Sequence, residues 1–269
     1  MAIYSGDIFA ENYSVSSSVT NVQISSVSGS TKSGDSNDDT HQFTGSLFIS
    51  GSRIDFVDGK RNTSFGYQAG SSITSGTDNV IIGYRAGEDL QTGGFNVIIG
   101  AGTTRTYGTD FANNIAIGYD AVSAGNANFY RAMGIGVRAA AKNTSNDNMA
   151  IGYEALGVHT TGGGNIAIGN YAMDDTDAGS TSLGSTHNIF MGFHAGGGTW
   201  ADAASQYNIG IGNYTLDAAM NGALNNIAIG YSSLSSITSG DNNIGIGTQV
   251  MQSLTTGQGN IVMGHASGN

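Results

Sequence analysis

The sequence predicts an all-β protein built as a parallel β-solenoid of about twelve coils. Three observations carry this: a five-residue pattern recurring at a near-constant interval, period-two alternation inside it, and much glycine without proline. Residues 113 to 119 and 225 to 231 both read NNIAIGY. Weaker copies of the same unit lie between and around them. Aligned on Asn, apolar, any, apolar, Gly, twelve copies end at Gly66, Gly83, Gly100, Gly118, Gly136, Gly152, Gly169, Gly192, Gly212, Gly230, Gly247 and Gly264. Their spacings run from 16 to 23 residues with a mean of (264 − 66)/11 = 18. That is too short for a helical-hairpin repeat and fits one coil of a β-solenoid.

Composition agrees. Glycine occurs 43 times in 269 residues, about 16%, and proline is absent; an average protein has ~7% glycine and ~5% proline. Proline lacks the N–H that a strand ladder needs, so its absence suits a hydrogen-bonded stack. The 39% hydrophobic content argues against disorder. A net charge of −11, with nine scattered Lys and Arg, argues against nucleic-acid binding. No apolar run approaches the ~18 residues of a membrane span, and the start MAIYSGDIFAENY lacks the basic and apolar regions of a secretory signal. No membrane insertion is expected. The absence of cysteine excludes disulfides and thiolate chemistry.

Within each unit the second and fourth residues are apolar almost throughout, from Val80 and Ile82 to Ile261 and Met263. The expectation is that these fill the coil interior. The third is small in eight of twelve copies, as at Ala116, Ala150, Ala167, Gly210, Ala228 and Gly245. On this reading it points outward, lets another backbone approach, and marks the contact between chains. Asn opens eleven copies, failing only at Ala132; its amide can stack into a ladder. The invariant closing glycine implies a conformation or closeness that a Cβ would forbid. A looser second strand is expected after it, as at 67–70, 84–87, 119–122, 153–156 and 231–234, followed by a polar turn. Twelve coils at roughly 4.8 Å give a roll about 55 Å long. One thin coil buries too little to offset chain entropy comfortably, so an oligomer is expected.

The N-Φ-A-I-G coil resembles the head repeat of trimeric autotransporter adhesins, a left-handed parallel β-roll of three chains around one axis. The continuation IGYEAL at 151–156 is similar to repeats in tail-fibre and appendage proteins of tailed bacteriophages. The resemblance covers residues 62–268 and implies a left-handed homotrimer. Residues 1–61 lack the repeat and read as a Ser/Thr/Asp-rich attachment segment with short strands; residues 62–269 form the roll. The piece GDSNDDTHQFTGSL resembles a module that precedes fibre shafts in virion proteins of marine tailed phages. A signal peptide, coiled-coil stalk and membrane barrel, which an adhesin needs, are not visible in this chain. The resemblance thus implies a non-enzymatic virion component, assembled in the host cytoplasm, joined to other virion proteins through residues 1–61. It serves as spacer or contacts a host-surface glycan or protein. The alternative is the head of a cellular trimeric adhesin.

Asp35, Asp38, Asp39 and His41, and separately Asp174, Asp175 and Asp177, carry oxygen ligands at spacings Ca²⁺ could use, but neither has a calcium-loop pattern and both read as solvated turns. His187 and His194 flank one strand and fall at opposite ends of it, so a shared metal is not expected. No nucleophile–base pair, phosphate loop or ordered carboxylate set emerges, so no cofactor, no metal and no enzymatic activity are expected, a polysaccharide-cleaving solenoid included. The long coils are the informative departures. Gly169 to Gly192 spans 23 residues and Gly192 to Gly212 spans 20, which places Asp174, Asp175, Asp177, Trp200 and Asp202 on adjacent extra loops. These are candidate receptor contacts, with Trp200 either a sugar-stacking group or a cap on the core.

Overall fold

A computed structural model describes residues 60–104, 111–123, 130–159, 161–176 and 184–268. The expected attachment segment up to residue 59, with Asp35, Asp38, Asp39 and His41, lies outside them, as does Asp177. Twelve three-residue strands follow in order: β1 (Thr63–Phe65), β2 (Val80–Ile82), β3 (Val97–Ile99), β4 (Ile115–Ile117), β5 (Met133–Ile135), β6 (Met149–Ile151), β7 (Ile166–Ile168), β8 (Ile189–Met191), β9 (Ile209–Ile211), β10 (Ile227–Ile229), β11 (Ile244–Ile246) and β12 (Ile261–Met263). They form one parallel sheet in sequence order, a β-solenoid of about eleven turns. Pairing is one-to-one at every step, even across the 23-residue coil, where Ile166 faces Ile189 and Ile168 faces Met191. No α-helix occurs among the described residues, so none there is long and apolar enough to cross a membrane.

The interior is the reverse of the sequence expectation. The third residue of the five-residue unit, the middle one of its strand, points in from β2 to β11: Ile81, Ile98, Ala116, Ala150, Ala167, Phe190 and Ala228 are fully buried. The second and fourth are half-buried or exposed in every strand. The coil is narrow, and space decides the matter. In most coils the fourth residue after the closing glycine shares the core with the third-position residue, and the two sizes vary inversely; Ser64 with Gly70 and Gly134 with Ala140 are both small. Ile81 is matched with Gly87, Ala116 with Val122, Ala150 with Leu156, Ala167 with Met173, Phe190 with Gly196 and Gly210 with Leu216. A Cβ on Gly196 would stand 2.8 Å from Phe190 Cδ1 in the same coil, and one on Gly134 would stand 2.5 Å from Val122 Cγ2 of the preceding coil. One large side chain fits across the core, and one small one must accompany it.

The expected second strand is absent. Residues 67–70, 84–87, 153–156 and their counterparts are turns, because two residues per coil take left-handed backbone, as Glu154 (φ 53°) and Leu156 (φ 51°) do. Coil-to-coil hydrogen bonds persist there nonetheless. Leu156 N–H donates to Ala172 O (3.0 Å) and Met173 N–H to Ala195 O (3.0 Å).

The asparagines form the expected amide ladder, inside the roll. Each side-chain oxygen accepts from both the backbone N–H and the side-chain NH₂ of the next asparagine, as Asn208 does from Asn226 (3.0 and 3.0 Å). Each NH₂ also reaches a carbonyl of its own coil's far turn, such as Asn208 to Ala223 O (2.8 Å). The ladder runs through Asn62, Asn79, Asn96 and Asn114, then stops where Ala132 replaces the amide; there Asn114 Oδ1 accepts the Ala132 N–H (2.8 Å). In the next coil Asn143 Oδ1 accepts from the Asn148 NH₂ (2.8 Å), and the ladder resumes from Asn148 to Asn260. Substituting Asn208→Ala strands the Asn226 N–H and the Ala223 carbonyl in the core, and should cost about 3 kcal/mol in denaturant unfolding. Loss below about 0.5 kcal/mol would mean the ladder is not stabilising.

Candidate functional site

Because the third residue turns inward, the second and fourth residues of all twelve strands share the outer face of the sheet. Of these 24 positions only Thr63 is polar. Val80, Ile82, Ile211 and Ile229 remain 37–40% accessible, and Phe65, Ile261 and Met263 more so. The residue after each closing glycine extends the face with Tyr67, Tyr84, Tyr119, Tyr153, Phe193 and Tyr231, all exposed. An apolar face running from β1 to β12 is the kind of exposed surface that marks an association site.

The trimer-interface candidates Ala116, Ala150, Ala167, Gly210, Ala228 and Gly245 therefore lie inside the roll and cannot touch a second chain. Alternation revealed two faces, and the inverse pairing of third-position and far-turn volumes was the available signal for which one is internal. The ribbon is bordered by register-matched charge pairs between successive coils, Arg61 with Asp78 (2.5 Å) and Arg131 with Asp147 (2.6 Å). Each arginine holds its carboxylate below the usual range. Being solvent-exposed, these pairs add little stability and act chiefly on register.

At the long coils, Trp200 is fully buried; its Nε1–H donates to Gly196 O (3.1 Å) and its ring meets Phe190 edge-on at 5.9 Å. It fills the core beside the small Gly196 and is not a surface stacking group. Asp202 is exposed, while Asp174 and Asp175 are partly buried. Asp175 ties its coil to the next: its Oδ2 accepts from Thr199 Oγ1 (2.5 Å) and its carbonyl from the Trp200 N–H (3.1 Å). His187 stacks on Tyr207 (5.3 Å) on one side of the strand, and His194 on Tyr171 (5.3 Å) on the other. No group of three or more His, Cys, Asp or Glu suited to a metal ion occurs among the described residues.

What the sequence reading missed is an aromatic cluster over coils six to ten. Tyr153, Tyr171, Phe193, Tyr214 and Tyr231 are in successive edge-to-face contact at 5.2–6.0 Å. Tyr171 and Tyr214 occupy the left-handed turn position that holds Gln68, Arg85, Asp120, Arg138 and Glu154 in other coils, so here aromatic surface spreads beyond the ribbon.

No family model matches the chain, and neither any curated protein nor any solved structure matches it.

Proposed function

We propose that the protein is a non-enzymatic structural element that self-associates, most simply as a homotrimer, through the apolar ribbon. In this reading it is a fibre or appendage component of a tailed phage, attached to other virion proteins by residues 1–61 and serving as spacer or host contact. The observation that carries the association is the ribbon: 23 apolar side chains on one face of the sheet are costly to leave in water, at about 25 cal/mol per Å². The resemblance of the N-Φ-A-I-G coil to trimeric heads and phage fibres supplies the stoichiometry and the setting. Three such ribbons facing a common axis would bury one another along the whole roll.

Light scattering on the purified chain should give three times the monomer mass. Substituting Ile117→Lys together with Ile168→Lys, both outward and at mid-ribbon, should dissociate it while leaving its strand circular dichroism unchanged. A wild-type monomer that stays soluble would overturn the reading. The virion assignment is tested separately, by probing purified particles with an antibody to the roll.

A further inference from the structure

Where the two long coils meet, three titratable side chains from successive coils converge. Asp174 follows β7, His194 follows β8 and Asp217 follows β9. His194 Nδ1 lies 3.6 Å from Asp217 Oδ1. The same nitrogen lies close to Gly197, where a Cβ would stand 2.5 Å from His194 Nδ1 and 3.1 Å from Asp174 Oδ1. In the coils before and after, the position of Gly197 is held by Asp174 and Asp217 themselves, so the glycine makes room for the imidazole between the two carboxylates. Tyr171 and Tyr214 stack on the ring from either side, at 5.3 and 6.1 Å, and fix its orientation. Asp174 Oδ1 is shut off from solvent without a hydrogen-bond partner.

We propose that Asp174, His194 and Asp217 form a clasp across three successive coils that tightens as the medium acidifies, and so sets how firmly the root of the 23-residue coil's extra loop is held. With both carboxylates ionised, two half-buried negative charges face each other across the imidazole. Protonation of Asp174 removes one of the two repelling charges and gives its enclosed carboxyl a proton to donate.

The surrounding groups do not offset these charges. Within the same coil Asp175 adds a further negative charge, although its Oδ2 is engaged by Thr199. From the preceding coils, Glu154 faces Tyr171 and is itself paired with Arg138. Burial, the larger effect, together with the neighbouring Asp175 and Asp217, pushes Asp174 up to about 6, against which His194 pulls it down; burial likewise raises Asp217. The sign follows. A carboxyl raised above its unfolded value contributes stability that is present in acid and lost as pH rises through about 6. A cleft of about 360 Å³ bordered by Arg138, Glu154, Gly157, Val158, Asp174 and Asp175 gives protons access. The loop root responds because Asp175, next in the chain, holds Thr199 and Trp200 of the following coil.

The clasp concerns the chain's own packing and does not depend on the virion reading. It is tested by amide hydrogen exchange of the full-length protein at pH 7.5 and 5.5, with rates corrected for intrinsic pH dependence. Peptides over 171–176 and 194–200 should exchange at least about four-fold more slowly at pH 5.5, the linkage factor for a carboxyl moving from 3.8 to about 6. A peptide over 244–251, in a distant coil, should not change. The isosteric Asp174→Asn should abolish most of the pH dependence and leave the segment protected at both values. Equal protection of the wild type at the two pH values, an undiminished ratio in Asp174→Asn, or a change spread over all peptides would each overturn the proposal.

Discussion

Replacing Gly169 by alanine should break the stack between coils seven and eight. Gly169 has φ +132°, and a Cβ there would stand 2.3 Å from the carbonyl oxygen of Gly192 in the next coil. Both the backbone strain and the collision fall on main-chain atoms that cannot rotate away. Each is worth roughly 1–3 kcal/mol, so a loss of about 4 kcal/mol or more is expected. The overlap recurs at the closing glycines from Gly66 to Gly247, so relief by sliding one coil would only pass the collision on. Gly184→Ala is the control: its added Cβ would meet only the Ala204 methyl at 3.9 Å. Guanidinium unfolding should separate the two variants clearly. If Gly169→Ala unfolds like the control, the coils have more axial freedom than their spacing implies.

The second large effect comes from the core. Ala167→Phe introduces a side chain of Phe190's size opposite Met173, which is itself fully buried, and should cost about 3 kcal/mol by overpacking. Its distinctive prediction is rescue. Ala167→Phe with Met173→Gly reproduces the Phe190 and Gly196 pairing of the following coil, and Met173 already has left-handed backbone (φ 50°) that glycine adopts freely. The double variant should recover most of the lost stability. Met173→Gly alone should leave a cavity and be destabilised, so strong non-additivity is the signature. Additive losses would mean that the two positions do not share space.

Both experiments rest on features unequally legible in the sequence. The period, the strand positions, the amide ladder and the crowding at the closing glycine followed from the repeat, because each depends on a residue type with few other uses. The direction of the strand faces did not. Ile–Ala–Ile alternation fits an apolar interior or an apolar exterior equally well, and the prior that isoleucine is buried chose the interior. The inverse sizes of Ile81 and Gly87, Ala150 and Leu156, or Phe190 and Gly196 contain the answer, but only once the two positions are known to face one another. The left-handed turns that replaced the second strand were hidden for another reason. Residues such as Leu156, Met173 and Leu216 rarely take positive φ, and stacking against identical neighbours imposes it here. The clasp was hidden because Asp174 and Asp217 are 43 residues apart in the chain (217 − 174) and meet only through coil stacking.

The interruption at Ala132 has a mechanical consequence. Along most of the roll, adjoining coils are joined by amide side chains as well as by backbone hydrogen bonds, so an axial pull is shared between two parallel sets of links. Between Ala132 and Asn148 this amide-to-amide ladder link is missing; Asn148 bonds instead to Asn143, five residues before it, and the ladder step is carried by backbone bonds such as Met133 N–H to Asn148 O (2.8 Å). An object loaded in tension parts at its weakest cross-section, and this seam divides four linked asparagines on one side from seven on the other. Stretched end to end in a force spectrometer, the roll would rupture there first, into a short piece and a long one.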